Sequence, residues 1–416
     1  MFGSTIRSDR RTRGAWRTSA IAITAAAAFA LAGCTDAPSG ETSTAGDAGT
    51  PSTTFPVDRW DPEVAAAEKP DLPPRIGFIN TFGASSLSGA FQAALASAAE
   101  TEGLEVITTD PKGDSSKAIQ QVNQLVQRGI IGLLDTQIAP EMVDPNLAAM
   151  ETGAMVAQFN QGPVTTMLSS IQYEGGYRVG EYVAGYVEDK LGGDAQIAWI
   201  SQDFNFSLKP RTQGFKDALE EAGISDLLVT EVTPPTTPGA TQEAGISITN
   251  TILEQYPEID IVAASGDDLA LGAATALETA GKVTPTTLTV GIDGTDPGLE
   301  AIKSGTSPFK ATAAVNFPLA AYIPGRLFGR WADGLTVPQY LVYNYALIDS
   351  PEGAERLQRD TALEELPRVY DAFVAGDDTY VTPLGAISYA TRNAYYDGTV
   401  PDKLPELSFT PNIAAE

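Results

Sequence analysis

The chain reads as an α/β protein of two lobes, each built on a parallel sheet, and three observations lead there. At 416 residues it exceeds what one hydrophobic core usually encloses, so two lobes are expected. From residue 75 to about 315, apolar runs of strand length alternate with amphipathic stretches of helix length, the signature of parallel sheets. The third observation is one stretch, TTLTVGIDGTDPGLEAIKSGTSPFKATAAV (286–315). Its apolar run 288–292 ends in the acidic turn Asp293-Gly294-Thr295-Asp296, Pro297 opens a helix, Gly305 closes it, and 311–315 offers another strand. Such folds bind ligands beyond the carboxyl ends of their strands, which makes Asp293 a candidate contact. Capping of the turn or helix is the plainer reading of the same residue.

In chain order, RIGFIN (75–80) is the first strand and 87–102 the first helix, with Leu87, Phe91, Leu95 and Ala98 at helical spacing. Gly103 stops that helix and 104–108 is the next strand. Asp114 or Ser115 then introduces a helix with Ile119, Val122 and Val126 on one face. Strands follow at 130–134, 154–159 and 165–169, with a short helix over 140–152. The pattern repeats with helices at 174–190, 210–221, 241–255 and 269–280 and strands at 195–201, 227–232 and 259–264. Phe215 and Ala218 face inward on the second of these helices. Asp267 and Asp268 precede the fourth, where the field at a helix N-terminus favours carboxylates, so capping is their plain role. A helix at 318–331 and a late strand at 341–348 come next. Residues 350–416 are less regular, with a helix-like 354–373, and read as an appendage covering one lobe.

The formal net charge is −27. Removing residues 1–33, with five Arg and one Asp, leaves about −31, a surface that repels nucleic acid and anionic lipid. The basic segment 7–17 followed by the apolar 18–31 reads as an export signal, too short for a membrane span. It ends in Leu31-Ala32-Gly33-Cys34, which resembles the lipobox of bacterial lipoproteins, with Cys34 as lipid anchor. Residues 35–58, rich in Ser, Thr, Gly, Pro and Asp, read as a flexible tether.

The chain contains no His, and Cys34 is its one cysteine. That removes His-dependent hydrolysis, thiol catalysis and zinc sites of His or Cys. No phosphate-binding glycine motif stands between a strand and a helix. No cofactor, metal or catalytic residue is expected, although chemistry by paired carboxylates stays open.

Several segments carry a resemblance: DPKGDSSKAIQQVNQLVQRGIIGLL (110–134), RTQGFKDALEEAG (211–223), YPEIDIVAASGDDLALGAATALETAGK (256–282) and VGIDGTDPGLEAIKSG (290–305). In this order, after a lipobox, they resemble the type I periplasmic sugar-binding proteins of ABC importers, the ribose, galactose and xylose group. The resemblance spans about 74–345. It implies two Rossmann-like lobes joined by a three-crossover hinge, with crossovers near 169–172, 315–317 and 339–343. The domains expected are a lipoprotein signal peptide (1–33), a flexible tether (34–70), an N-terminal lobe (71–170 plus about 317–338), a C-terminal lobe (171–315 plus about 340–349) and a C-terminal extension (350–416) on one lobe. It also implies that Asp293 accepts hydrogen bonds from sugar hydroxyls and that Arg211 donates to the same ligand from the opposite wall.

Departures from the ribose pattern redirect the ligand. Phe159-Asn160 stand where that group has an Asp-Arg pair, and Gly266 matches an Asn. Asn316 is the nearest amide to the group's late-crossover Gln. Phe82, Phe159, Phe204 and Phe206 could supply an apolar wall, with core packing the plain reading of each. The candidate ligand contacts are therefore Arg211, Asp293, Asn160, Phe159, Phe82, Asn316 and Asp267. The implied protein is a monomer, lipid-anchored at the outer face of the cytoplasmic membrane. It hands a monosaccharide, polyol or nucleoside-like molecule to an ABC permease and does not bind nucleic acid. Ribose itself is expected to bind weakly. A ligand-presenting partner of a membrane sensor and a carboxylate-dependent envelope hydrolase are the alternatives.

Overall fold

Two sheets organise the chain in a computed structural model, which describes residues 49–64, 68–81, 86–236, 239–377 and 380–409, without the side chains of Ser86 and Leu87. The export segment, Cys34 and Phe82 lie outside the described residues. The first lobe begins β1 (Arg75–Ile79), α1 (Ser86–Thr101), β2 (Glu105–Thr109), α2 (Ser115–Arg128), β3 (Gly132–Asp135), α3 (Val143–Glu151), β4 (Met155–Phe159) and β5 (Thr166–Ser169). The second comprises α4 (Gln172–Leu191), β6 (Ile197–Ile200), α5 (Lys209–Glu221), β7 (Leu228–Val232), α6 (Gln242–Gln255) and β8 (Ile261–Ala264). It continues with α7 (Asp267–Thr279), β9 (Leu288–Asp293), α8 (Asp296–Ser304) and β10 (Phe309–Ala314). The chain then runs through α9 (Leu319–Ala332), β11 (Tyr340–Tyr343), β12 (Ala346–Ile348), α10 (Pro351–Thr361), α11 (Leu366–Ala375) and β13 (Val381–Leu384).

The first sheet has the order β13-β11-β5-β4-β3-β1-β2 and the second β12-β10-β9-β8-β6-β7. Every pairing is parallel except β11 with β13 and β10 with β12. Central strands such as β3 and β8 are buried along their whole length, as expected of sheets covered by helices on both faces. Cores lie on both sides of each sheet; Phe78, Phe91, Phe328 and Trp331 anchor one in the first lobe, and Trp199 stacks on Phe215 at 4.3 Å in the second.

Local signals account for most element ends. Asp114 caps α2 by accepting from the Ser116 and Lys117 amides, and Thr295 caps α8 by accepting from the Gly298 amide. Gly305 ends α8 in the left-handed conformation at φ 65°. On α2 the buried face is Ala118, Val122 and Leu125, one residue round from the expected stripe; Ile119 and Val126 are half-buried.

Three expectations need correction. The run 341–348 is two strands, not one: β11 joins the first sheet and β12 the second, so the third crossover is Asn344-Tyr345. Both halves have strand character, and nothing local says which sheet each will join. The residues after 350 cover both lobes rather than one. α10 lies against α8, with Lys303 Nζ donating to Gln358 at 2.7 Å, while α11 packs on α9 and β13 extends the first sheet. Lastly, the segment expected as tether is packed over part of its length. Trp60 is buried against Phe373, Phe55 packs on Tyr340 and Tyr396, and the Ser52 amide donates to the Tyr395 carbonyl. Its two aromatics, among small polar residues that carry no pattern, are what bind it down.

Candidate functional site

Where the three crossovers meet, the lobes enclose a cavity of about 180 Å³. The first lobe contributes Phe159, Asn160 and Ala320, the second Arg211 and Asp293, and the crossovers Ser170, Gln172, Asn316, Phe317 and Tyr345, among others. Four of the residues expected from sequence to touch a ligand besides Asn316 therefore share one cavity: Phe159, Asn160, Arg211 and Asp293.

Arg211 comes from the first turn of α5. Its placement depends on close packing between helices: a Cβ at Gly176 on α4 would run into the Arg211 carbonyl oxygen, so only glycine lets α5 lie this near. The guanidinium is buried and almost fully engaged. Nε donates to Gln172 Oε1 at 2.7 Å, Nη1 to the Ser265 carbonyl at 2.5 Å, and Nη2 to Tyr345 Oη at 3.2 Å. Nη2 also lies 3.0 Å from Asp293 Oδ1. Burial works against its charge, but Tyr345 and Asp293 outweigh burial and raise its pKa, so it stays cationic.

Arg211 and Asp293 thus form an ion pair within one lobe, not two contacts on opposite walls. Asp293 ends β9 with a positive φ of 123°, a strained conformation for a side chain, and Gly294 follows at 73°. The side chain of Asp293 remains 35% exposed while that of Arg211 is 7% exposed, so the carboxylate still presents an acceptor to the cavity. Burial pushes the Asp293 carboxyl up, and Arg211 pulls it part of the way back.

Asp267 has a different place. It is fully buried beneath the turn, where Oδ2 accepts from the Thr295 amide at 2.7 Å and its hydroxyl at 3.1 Å, and Oδ1 from Thr312 at 2.7 Å. Burial and nearby Asp293 push its pKa up to about 8. It does not line the cavity; it holds the loop that carries Asp293. Asn316 lines the cavity, yet its amide donates to the Asp360 carbonyl at 2.9 Å and accepts from the Leu319 amide at 3.4 Å. Asn160, in the left-handed conformation at φ 54°, accepts from Ser169 Oγ at 2.5 Å. Phe159 packs with Phe91 and Phe317 as an apolar wall. Phe206 lies outside this cavity.

The residues missed from sequence are Gln172, Ser170 and Tyr345. Tyr345 Oη donates within reach of Gln172 Oε1 at 3.0 Å and Ser170 Oγ at 3.2 Å, tying two crossovers to Arg211. Gln172 supplies a crossover amide at the first crossover, not the one where Asn316 was the candidate. At Gly266 a Cβ would come 2.5 Å from Gln202 Nε2, so the Gln202 amide fills the space an Asn there would need. The expectation of a crossover marked the region but not these side chains.

Asp293 is the one carboxylate lining the cavity among the described residues, whereas glycoside hydrolysis uses two. Among those residues no group of three His, Cys, Asp or Glu is placed to hold a metal, and no helix is long and apolar enough to cross a membrane.

Residues 76–335 match the periplasmic binding protein domain model. A ribose import binding protein of Bacillus subtilis (strain 168) is 29% identical over 211 residues, 49% of this chain and 65% of that protein. A xylitol-binding protein of Mycolicibacterium smegmatis is 27% identical over 209 residues, covering 50% of this chain and 58% of its own. In structure, a Mycobacterium smegmatis protein in complex with β-D-fucofuranose superposes with a TM-score of 0.59 at 22% identity, covering 75% of this chain and 99% of that one. With two mostly parallel lobes, three crossovers and a cavity at the hinge, this chain belongs to the periplasmic binding protein family, a family of binding proteins and not of enzymes.

Proposed function

We propose that the protein captures a small, uncharged, hydroxyl-rich molecule, a sugar or polyol, and delivers it to an ABC permease. The observation that carries this reading is the Arg211–Asp293 pair in the hinge cavity. The pair neutralises itself, so a charged ligand would lose its water without gaining a counter-ion. A hydroxyl, by contrast, can donate to the open oxygen of Asp293. The apolar wall of Phe159 and Phe317 suits the carbon face of a sugar ring. A cavity of about 180 Å³ fits one small ring, since sites for drug-sized ligands run roughly 300–1,000 Å³. The ligands named for relatives, ribose, xylitol and fucofuranose, share this chemistry.

Export and lipid attachment at Cys34 belong to the same reading, supported by the basic and apolar segments before Leu31-Ala32-Gly33-Cys34. Mass spectrometry of the mature protein should find a diacylglyceryl group on Cys34; an unmodified thiol would remove that part. For the ligand, natively purified protein should release a neutral sugar or polyol that rebinds on calorimetric titration. An ionic ligand, or failure of every sugar and polyol to bind, would overturn the proposal.

A further inference from the structure

A second compartment of about 310 Å³ adjoins the hinge cavity and shares Asn160 and Gln172 with it. Phe206 and Pro210 wall it on the second lobe, and Val400 and Pro401 wall it from the C-terminal extension. This last stretch is fixed at both ends. On one side Tyr396 is buried, bridges to Ser52 and Val164, and donates through its hydroxyl to the Thr399 carbonyl at 2.8 Å. On the other, Lys403 Nζ sits 4.1 Å from the centroid of the Tyr173 ring, whose hydroxyl donates to Asp217 at 2.7 Å. The extension therefore spans the mouth of the cleft as a fixed wall.

Phe206 gives this compartment its chemistry. It is 67% exposed, so its ring is open to an apolar group that enters the compartment. The single turn that carries it is held by Asn205, which accepts from the Ser207 amide at 3.1 Å and the Ser207 hydroxyl at 2.9 Å. That turn runs directly into α5, so one continuous segment carries both Phe206 and Arg211. Asp402 lies at the rim and disfavours an anion there.

We infer that the ligand has two parts: a hydroxylated ring in the hinge cavity and an uncharged, less polar substituent packed on Phe206 in the outer compartment, as in a neutral glycoside. This rests on the sugar or polyol reading above. Aromatic contacts of this kind strengthen binding by about 2- to 10-fold.

The test is calorimetric titration of the full chain with unsubstituted ribose, arabinose, xylose, galactose and fucose, each beside its α- and β-phenyl glycosides, with xylitol and myo-inositol included. For a sugar that binds, one phenyl glycoside should bind at least about twofold tighter, and Phe206→Ala and Val400→Asp should each bring that ratio towards one. Because Phe206 is exposed, its replacement leaves the core intact, and a ratio that Phe206→Ala leaves unchanged overturns the placement of the substituent on Phe206. An unsubstituted sugar that binds as tightly as its glycosides overturns the inference and leaves the sugar reading standing. No binding by any member of the panel overturns both.

Discussion

The two lobes meet the cavity with different chemistry. The second presents an ion pair, Arg211 with Asp293, each held by side chains behind it. The first presents Phe159, Ala320 and the amide of Asn160, with Phe317 beside them. Yet the lobes share one architecture, parallel strands feeding their carboxyl ends towards a common hinge. On the proposed reading recognition is divided: the second lobe would supply directional hydrogen bonds and thus affinity, and the first a surface that fits the ligand's less polar face.

Substitution of Arg211 should break this division most severely. Arg211→Met leaves Asp293 without its cationic partner and the Ser265 carbonyl with only the Gln202 amide as donor. Loss of one member of a desolvated charged pair costs about 2–5 kcal/mol, or roughly 30- to several thousand-fold in affinity. Calorimetry with the bound sugar reads this directly, and thermal melts should show lower stability as well.

Next in size is Asp267, whose role is to position and not to touch. Asp267→Ala takes the acceptor from the half-buried Thr295 amide and from the buried Thr312 hydroxyl and should destabilise the fold by about 1–3 kcal/mol. Asp267→Asn should be tolerated, with the amide oxygen accepting from Thr295 and the nitrogen donating to Thr312. The two also differ in pH response. The wild-type carboxyl holds its proton up to about 8 in the folded state, whereas the unfolded chain releases it near pH ~4. Its stabilising contribution is thus complete below pH ~4 and is lost as the pH rises towards 8, because the folded state binds the extra proton. Melting curves across this range should slope downward for wild type and less steeply for Asp267→Asn; equal slopes would detach Asp267 from the effect.

A smaller change sharpens the comparison. Tyr345→Phe removes one partner each from Arg211 and Gln172, and should weaken sugar binding by about 2- to 10-fold, the worth of a single hydrogen bond. Unaltered affinity would mean that the crossovers do not help set the arginine.

What could be read from sequence follows the same divide. Asp293 was legible because it ends an apolar run and precedes a turn and a helix start, a local pattern with a known position in parallel folds. Arg211 was legible through resemblance, but its pairing with Asp293 was not, since that depends on how closely α5 approaches α4 at Gly176. Gln172 and Tyr345 lie 39 and 134 residues from Arg211 in the chain and come from crossovers with no periodicity. Asp267 and Asp293 look alike in sequence, each an acid at a strand end; only burial separates the one that holds the loop from the one that faces the cavity. The crossover at Asn344-Tyr345 lies within 341–348, where a single Asn interrupts otherwise strand-forming residues, too weak a signal to show that the two halves join different sheets.

On this reading most of the affinity resides on the second lobe. Calorimetric titration of the bound sugar against Asp293→Asn and Asn160→Ala, in protein shown by thermal melting to be folded, measures it most directly. The expected loss is roughly 30-fold or more for Asp293→Asn and about tenfold or less for Asn160→Ala. Equal losses, or a larger one for Asn160→Ala, would contradict it.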